Sequence, residues 1–354
     1  MSDYKQELEE LVLIVAKEGA SDLHLTAGRH PTIRVSGDLI PIVKKPILTA
    51  EDTMGMVMEV LSEPNKELFL KQKEIDFSYS AAATARFRGN AFYQKGFVGA
   101  AFRLIPSKIQ NLSELNLPER LADFTRREQG FFLVVGPVGQ GKSTTLASMV
   151  EIINNERAEH IITIEDPIEY MFTSDRSIID QREVRFDTRD FHTALRSMFR
   201  QDVNVAMIGE MRSPETISAA VTAAETGHLI FSTLHTNSAS QTIDRIIDSF
   251  PANQQRQIRV QLAGSLLSIY SQRLVPRSAG GLIPAYELLI NNAAVSNLIR
   301  EGRTAEIDVV IETGSEEGMV DLNHSLAELV QRGEITSENA YRYSRNPKTL
   351  DRLL

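Results

Sequence analysis

Residues 136–143 read Gly136-Pro137-Val138-Gly139-Gln140-Gly141-Lys142-Ser143. This octapeptide fits every fixed position of the phosphate-loop pattern G-x-x-x-x-G-K-[ST]. The apolar run FFLVV at residues 131–135 precedes it and is typical of a buried strand in a parallel sheet. The stretch from Ser143 to Ile153 predicts a helix. Because the motif requires a loop between a strand and a helix, the sequence predicts a nucleotide-binding α/β domain.

Each part of this loop has a chemical role in holding a nucleoside triphosphate. Its glycines allow backbone N–H groups to curl around phosphate oxygens, and the helix N-terminus adds positive partial charge. We expect Lys142 to reach the β- and γ-phosphates and Ser143 to bind Mg²⁺. The predicted nucleotide-binding residues are Gly136, Pro137, Val138, Gly139, Gln140, Gly141, Lys142, Ser143 and Thr144.

Length and composition exclude several classes of protein. The 354 residues are enough for two domains, at roughly 100–200 residues per domain. The chain has no cysteine, which excludes disulfides, cysteine zinc sites and thiol catalysis. A net charge of −9 argues against a general nucleic-acid-binding protein. There is no recognisable signal peptide and no run of about 20 apolar residues, so we expect no direct membrane insertion.

The pattern of predicted elements changes at a polar segment bounded by prolines. Residues 1–106 combine short alternating strands with helices, which is typical of a small α+β domain, and residues 107–118 are predicted to be a linker. Residues 119–290 alternate apolar strands with helices, which predicts a parallel sheet wound on both faces. Residues 291–354 are predicted to be a helical C-terminal region, and the last hundred residues are expected to be mostly helical.

Three polar clusters directly follow apolar strands of the predicted parallel sheet. They begin at Glu165, Gly209 and His235. Ligands of open α/β sheets gather outside the carboxyl ends of the strands, so we expect all three clusters to face the γ-phosphate. We assign Glu210 to the Mg²⁺ ion and Glu165 to the attacking water. The sequence leaves the reverse assignment open.

Two histidines and two arginines complete the candidate catalytic set. His228 and His235 bracket one predicted strand, so we expect one to sense the γ-phosphate and the other to pack at a subunit contact. Arg88 and Arg103 lie on predicted strands of the first domain. They either form a solvated basic face or stabilise charge on a nucleotide. The candidate catalytic residues are Glu165, Glu210, Arg88, Arg103, His228 and His235.

Taken together, these motifs resemble those of the secretion-type traffic ATPases over nearly the whole chain. Within that family the chain is most similar to the retraction motors of type IV pili. The similar stretches are GASDLHL at residues 19–25, the acidic box IEDPIEY at 164–170, the Walker B segment IGEMR at 208–212, the histidine box at 226–237, and the strands that carry Arg86, Arg88 and Arg103.

The resemblance implies a PAS-like first domain, a RecA-like second domain and a homohexameric ring that hydrolyses ATP. ATP would lie between the two domains, completed by a neighbouring subunit. The ring would dock on an integral platform protein at the cytoplasmic face of the inner membrane, as a cytoplasmic, peripheral protein. There it would depolymerise pilin and so drive pilus retraction and twitching motility. An accessory retraction ATPase is a further partner that the resemblance implies.

Features outside the active site favour retraction over extension. Residues 297–301, NLIRE, are similar to a short helical motif of retraction motors, although Ser296 stands where that motif usually has Arg. Extension and secretion motors usually carry an extra N-terminal region and a four-cysteine zinc site, and neither is expected here. An accessory retraction ATPase or another type II/IV secretion ATPase remains the alternative within the family.

Other classes fit the sequence less well. A P-loop kinase would need a lid and an acceptor-substrate motif, and neither is evident. A GTPase would need an Asn-Lys-x-Asp motif, whereas Asn65-Lys66 is followed by Glu67-Leu68. A non-hydrolysing binding module predicts the loss of Lys142, Glu165 or Glu210, and all three are present.

Overall fold

The structure, a computed structural model, describes residues 3–35, 37–81, 85–106, 108–211 and 213–354, with the backbone alone at Ala85. It divides the chain into two compact units, residues 1–108 with 169–171, and residues 109–168 with 172–354. The α/β class predicted from the sequence, with an α+β unit first, is confirmed. Arg212, in the segment similar to Walker B, lies outside the described residues.

The first unit combines three helices with a six-stranded antiparallel sheet of order β3-β2-β1-β6-β5-β4. Its helices are α1 (Tyr4–Lys17), α2 (Ala50–Val60) and α3 (Glu63–Gln72). Its strands are β1 (Asp22–Thr26), β2 (Thr32–Val35), β3 (Asp38–Pro41), β4 (Glu74–Ala81), β5 (Ala85–Gln94) and β6 (Phe97–Ile105).

Local sequence signals explain the first helices of this unit. Leu8, Leu11 and Val15 are buried along one side of α1, as their helical spacing predicts. Helix α2 begins at a capping box, in which Thr49 and Asp52 each accept a hydrogen bond from the other's backbone N–H. Such a cap satisfies N–H groups that the first helical turn leaves without a partner.

The second unit is built on a seven-stranded sheet of order β13-β12-β7-β11-β10-β8-β9. Its strands are β7 (Gly130–Val135), β8 (His160–Glu165), β9 (Ile178–Glu183), β10 (Val205–Ile208), β11 (Leu229–Leu234), β12 (Leu266–Pro276) and β13 (Leu282–Ile290). Only the β12–β13 pair is antiparallel among the described pairings of this sheet.

Helices surround this sheet and continue into the C-terminal region. They are α4 (Leu121–Thr125), α5 (Lys142–Glu156), α6 (Phe191–Met198), α7 (Pro214–Glu225), α8 (Ala239–Asp248), α9 (Ala252–Ser265), α10 (Ala293–Glu301), α11 (Ile307–Thr313), α12 (Leu322–Gln331), α13 (Ser337–Tyr343) and α14 (Pro347–Leu350). None of the helices in the described ranges is long and apolar enough to cross a membrane.

Strand β7 lies at the centre of the second unit's core. Alternate residues contribute to two different hydrophobic clusters: Phe131 and Leu133 to one, Phe132 and Val134 to the other. Because successive side chains of a strand point to opposite faces, helices must cover both faces of the sheet here. This explains why the strand before the phosphate loop is apolar at consecutive positions.

Two parts of the sequence-based organisation differ from the structure. The predicted linker at residues 107–118 contains the division between the two units, after residue 108, but its Leu112 and Leu117 are buried in a core cluster of the second unit. The last hundred residues are also less helical than expected, since β12 and β13 form a long hairpin at one edge of the sheet. Both strands contain polar residues such as Gln272 and Glu287, which obscured their pattern.

Candidate nucleotide-binding site

The phosphate loop connects the carboxyl end of β7 to the first turn of α5, as the sequence predicts. Gly136, Gly139 and Gly141 have φ angles of 150°, 76° and 76°, a region that strongly favours glycine. Gly141 is the N-cap of α5 and gives that helix no side-chain cap. A helix that begins in this way presents its first N–H groups to an anionic ligand.

The side chain of Lys142 turns back into the loop instead of extending into solvent. Its Nζ donates to the carbonyl oxygens of Gly136 at 2.9 Å and Pro137 at 2.8 Å. The same Nζ lies 3.1 Å from Nδ1 of His235. Only 7% of Lys142 is exposed, so its charge is concentrated inside the loop. A phosphate group bound there would meet a cation already in position.

His235 and Glu210 bring the ends of two further strands to this lysine. His235 follows β11 and Glu210 follows β10, and these two strands are neighbours in the sheet. Nε2 of His235 lies 3.3 Å from Oε1 of Glu210. Lys142, His235 and Glu210 therefore form one polar cluster at the carboxyl edge of the sheet, where the sequence places them.

Glu165 ends β8, the strand next to β10, and is 5% exposed. Its Oε1 accepts hydrogen bonds from the hydroxyl of Thr163 at 2.7 Å and from Nε2 of Gln181 at 3.4 Å. These contacts fix the direction of a carboxylate at the edge of the sheet that carries the phosphate loop.

The residues expected to hold Mg²⁺ suit that ion. Ser143, in the first turn of α5, offers a hydroxyl, and the side chain of Glu210 is 22% exposed and offers a carboxylate. Mg²⁺ prefers oxygen ligands and usually takes only one or two from the protein, with phosphates and waters as the others. Within the described ranges, no group of three or more His, Cys, Asp or Glu side chains could hold a metal ion.

His228 lies away from this cluster. It precedes β11, whereas His235 follows that strand, so about 20 Å of extended chain separates them. Nδ1 of His228 donates to the carbonyl oxygen of Ala223 at 3.0 Å, and its ring meets Phe199 edge to face at 5.4 Å. The structure thus brings His235, and not His228, to the phosphate loop. His228 stays the candidate for the subunit contact that the sequence predicts for one of the two histidines.

Arg88 and Arg103 lie side by side in the first unit. They are direct partners across the β5–β6 pair, so both point to the same face of the sheet. On the other side of Arg103, its Nε donates to Oδ1 of Asp22 at 2.9 Å, although 71% of the side chain is exposed. Burial raises the pKa of Asp22, but hydrogen bonds from Ser21 and Arg103 outweigh this and leave it below its usual value.

Gln272 on β12 contacts the phosphate loop and is not among the residues that the sequence predicts for the site. Its side-chain amide accepts from the hydroxyl of Thr145 at 2.7 Å and donates to the carbonyl oxygen of Gln140 at 2.7 Å. The adjacent Arg273 donates to the carbonyl oxygen of Asn237, two residues after His235. A lone glutamine in an apolar stretch has no sequence signature, so only the fold reveals these contacts.

Known proteins of one family match nearly the whole chain. The model of the type II/IV secretion system protein family matches residues 4–346. The type IV pilus retraction ATPase PilT of Pseudomonas aeruginosa is 44% identical over 342 residues, covering 97% of this chain and 99% of that protein. The type IV pilus ATPase PilU of the same organism is 41% identical over 335 residues, covering 94% and 87%.

A solved structure shows the same relationship in three dimensions. The crystal structure of the pilus retraction motor PilT with bound ADP aligns with a TM-score of 0.91 at 43% identity, covering 97% of this chain and 98% of that chain. Its arrangement of an N-terminal domain followed by an ATPase domain confirms the predicted fold class. With a family model, a relative and a solved fold in agreement over almost all of its length, the chain belongs to the type II/IV secretion system protein family of ATPases.

Proposed function

We propose that this chain is the ATP-hydrolysing motor that powers retraction of type IV pili. The observation that carries the proposal is the buried Lys142 inside a glycine-rich phosphate loop, beside His235 and Glu210 at the edge of a parallel sheet. That arrangement is a site for nucleotide hydrolysis, and it occurs in a chain that is 44% identical to a pilus retraction ATPase over 97% of its length. Twitching motility is the cellular activity that follows from retraction.

Each residue of the cluster has a distinct part in this proposal. Residues 136–144 surround the phosphates of ATP, and Lys142 neutralises charge between the β- and γ-phosphates. Ser143 and Glu210 would hold a Mg²⁺ ion, which would supply positive charge to the phosphate oxygens. Glu165 accepts a proton from the attacking water, and the hydroxyl of Thr163 keeps its carboxylate in place.

His235 connects the phosphate loop to Glu210. A lysine ammonium group can only donate, so Nδ1 of His235 accepts from Lys142 and the proton of the neutral ring is on Nε2, facing Glu210. This tautomer is assigned from the contacts. Phosphate binding at Lys142 therefore changes the environment of His235, which makes it the residue that reports the γ-phosphate to the rest of the unit.

The wider assembly follows from the family and is part of the proposal. Six copies form a homohexameric ring, in which Arg88 and Arg103 supply positive charge to a nucleotide across a subunit boundary. The ring works at the cytoplasmic face of the inner membrane and couples hydrolysis to pilin removal through a platform protein. The pair of exposed arginines on one face of the β5–β6 ladder supports this role.

An accessory retraction ATPase is the second candidate, because the chain is also 41% identical to PilU over 94% of its length. The two candidates share the chemistry of the site, so hydrolysis does not separate them. Retraction by a strain that lacks every related ATPase except this chain separates them: a principal motor supports retraction alone, and an accessory motor does not.

Phosphate release from the purified protein tests the biochemical part of the proposal. We expect hydrolysis of ATP that depends on Mg²⁺ and is lost in Lys142→Ala. Lys348→Ala is a matched control, because Lys348 is exposed on α14 in the same unit. Wild-type turnover by Lys142→Ala at saturating ATP would overturn the assignment of the phosphate loop.

A further inference from the structure

The side chain of Gln272 joins the two ends of the phosphate loop. Gln272 lies on β12, which pairs with β7 next to the loop, and it is 3% exposed. Its Oε1 accepts from the hydroxyl of Thr145 in the first turns of α5, and its Nε2 donates to the carbonyl oxygen of Gln140. Both bonds measure 2.7 Å. One buried amide thus fixes the loop before Lys142 and the helix after it.

The same residue also fits against two glycines of the loop. A Cβ on Gly136 would lie 2.5 Å from the carbonyl oxygen of Gln272, and a Cβ on Gly141 would lie 3.0 Å from its Nε2. The contact at Gly136, with a backbone atom, leaves room only for glycine, whereas a Cβ at Gly141 would require the amide to move by a few tenths of an ångström. The space that the motif keeps free at these two positions is therefore occupied by Gln272, in addition to any need for positive φ.

A second contact from β12 strengthens the connection. The backbone N–H of Leu274 donates to Oε1 of Gln140 at 2.7 Å. Gln140 is thus held by β12 through both its backbone carbonyl and its side chain. Because Gln140 comes two residues before Lys142, its position helps to determine where the ammonium group of Lys142 lies.

We propose that Gln272 is a positioning residue for ATP hydrolysis, which fixes the curvature of the phosphate loop around the phosphates. The inference rests on the proposed nucleotide-hydrolysing function of the site. A buried amide is costly unless its donor and acceptor are both satisfied. Both side-chain partners found for Gln272 belong to the loop and the helix that follows it, so the polar residue serves the loop and not the core.

A set of four variants tests this role. Gln272→Leu removes both side-chain bonds at similar volume, and Gln272→Glu keeps the acceptor for Thr145 but loses the donor to Gln140. Thr145→Val removes one partner with little change in shape. Ser268→Ala is the control, because Ser268 is also buried on β12 and its hydroxyl donates to Leu289 at 2.6 Å, away from the loop.

The measurements are ADP affinity by equilibrium titration, kcat and KM for ATP, and the melting temperature. We expect Gln272→Leu to weaken ADP binding and raise KM about tenfold, the effect of losing one to two hydrogen bonds, with kcat changed less than threefold. Gln272→Glu should weaken binding at least as much, because it also places a carboxylate near the phosphates. Ser268→Ala should lower the melting temperature without changing ADP affinity.

The contact between Gln272 and Thr145 predicts that the effects of changing the two residues are coupled. If the Gln272–Thr145 contact positions the loop, the double variant Gln272→Leu/Thr145→Val should lose less affinity than the sum of the two single losses. Additive losses, or ADP affinity in Gln272→Leu equal to that of Ser268→Ala, would overturn the inference. If Gln272→Leu does not fold, unchanged ADP affinity in Thr145→Val and Gln272→Glu would overturn it equally. ADP binding does not require turnover, so a wild type that binds ADP without hydrolysing ATP contradicts the proposed function and leaves this test intact.

Discussion

Nζ of Lys142 lies 3.1 Å from Nδ1 of His235, so the lysine of the phosphate loop is in direct contact with the residue that follows the neighbouring strand. Nε2 of the same ring lies 3.3 Å from Glu210. A phosphate group bound at Lys142 would either replace the contact between Lys142 and His235 or lie beside it. We therefore expect the site to distinguish bound from absent phosphate through one imidazole ring.

The two carboxylates of the site should give different defects when each is changed to its amide. Glu165→Gln should still bind ATP and Mg²⁺ but lower kcat about 100-fold or more, because an amide cannot accept the proton of the attacking water. Glu210→Gln should instead raise the Mg²⁺ concentration needed for half-maximal activity. ATP hydrolysis measured across a Mg²⁺ titration separates the two effects. Glu225→Gln, at an exposed position of α7 in the same unit, is a control for a change of charge outside the cluster. Exchanged phenotypes would show that the two roles are reversed.

Arg103→Ala should lower kcat more than ATP affinity, since a guanidinium that acts on developing charge contributes mainly in the transition state. Mixed rings of Arg103→Ala and Lys142→Ala subunits should recover part of the activity, because some interfaces then pair an intact loop with an intact arginine. Asp22→Asn is the control, as it removes the negative charge beside Arg103 and keeps the guanidinium. A complete lack of recovery in well-mixed rings would contradict a role across the subunit boundary.

The ion pair between Arg345 and the buried Glu287 should support the stability of the second unit. Burial raises the pKa of Glu287, while Arg345 and the backbone N–H of Ala239 act in the opposite direction. Arg345→Ala should lower the free energy of unfolding by about 2 kcal/mol at neutral pH. This loss is smaller than for a fully buried ion pair because Arg345 is partly exposed.

The pH dependence of that loss provides a check on its cause. A carboxyl group whose folded-state pKa is raised contributes stability below its unfolded pKa, about 4.3 for Glu, and loses it as the pH rises through the folded value. Without Arg345 the folded-state pKa of Glu287 should rise further. Denaturant unfolding should therefore show that Arg345→Ala lowers the free energy of unfolding less near pH 4 than at pH 7. Glu287→Gln should reduce the effect of Arg345→Ala. An equal loss at both pH values would contradict a charge-based explanation.

The exposed side of α10 should be required for retraction but not for hydrolysis. Val295, Leu298 and Ile299 are buried, whereas the polar residues of the same helix, Asn297, Arg300 and Glu301, are exposed. Alanine at all three polar positions should leave ATP hydrolysis and ring assembly near the wild-type level and stop pilus retraction in cells. Glu338→Ala/Arg342→Ala, on the exposed side of α13, is the matched control. A fall in hydrolysis or assembly together with motility would show that the segment is structural.

Ser296 lies on the side of α10 that faces α9. The position usually carries Arg in similar segments of retraction motors, but here its hydroxyl donates to the carbonyl oxygen of Ala263 at 2.9 Å. Ser296 therefore faces α9, on the inner side of the helix. Because Ser296 lies on the inner side of the helix, the serine in place of arginine leaves the exposed surface of Asn297, Arg300 and Glu301 unchanged.

Much of the site could be predicted because its signals are local in the sequence. The phosphate loop has a fixed pattern, and Glu165, Glu210 and His235 each follow an apolar strand whose end is evident from its composition. Parallel strands bring their carboxyl ends to the same edge of the sheet, so these residues could be expected to lie close together. The separation of His228 from His235 also follows from the length of a strand.

The remaining contacts depend on pairings distant in the sequence. Gln272 follows the phosphate loop by more than a hundred residues, and β12 reaches it only because it pairs with β7 in parallel. Leu112 and Leu117 are both buried. Their neighbours in the sequence are polar, and such a composition is typical of a linker. In each case the side chain contacts residues that are distant in the sequence, and hydrophobic periodicity does not predict such contacts.

Pilus retraction in living cells tests the central claim most directly. Individual pili can be labelled and followed in a strain that lacks this gene and carries either the wild-type chain or Lys142→Ala, a change confined to the phosphate loop. The account predicts that pili extend but do not retract in the deletion strain, that the wild-type chain restores retraction, and that Lys142→Ala, present at the same level, does not. Normal retraction without the gene, or full restoration by Lys142→Ala, would contradict it.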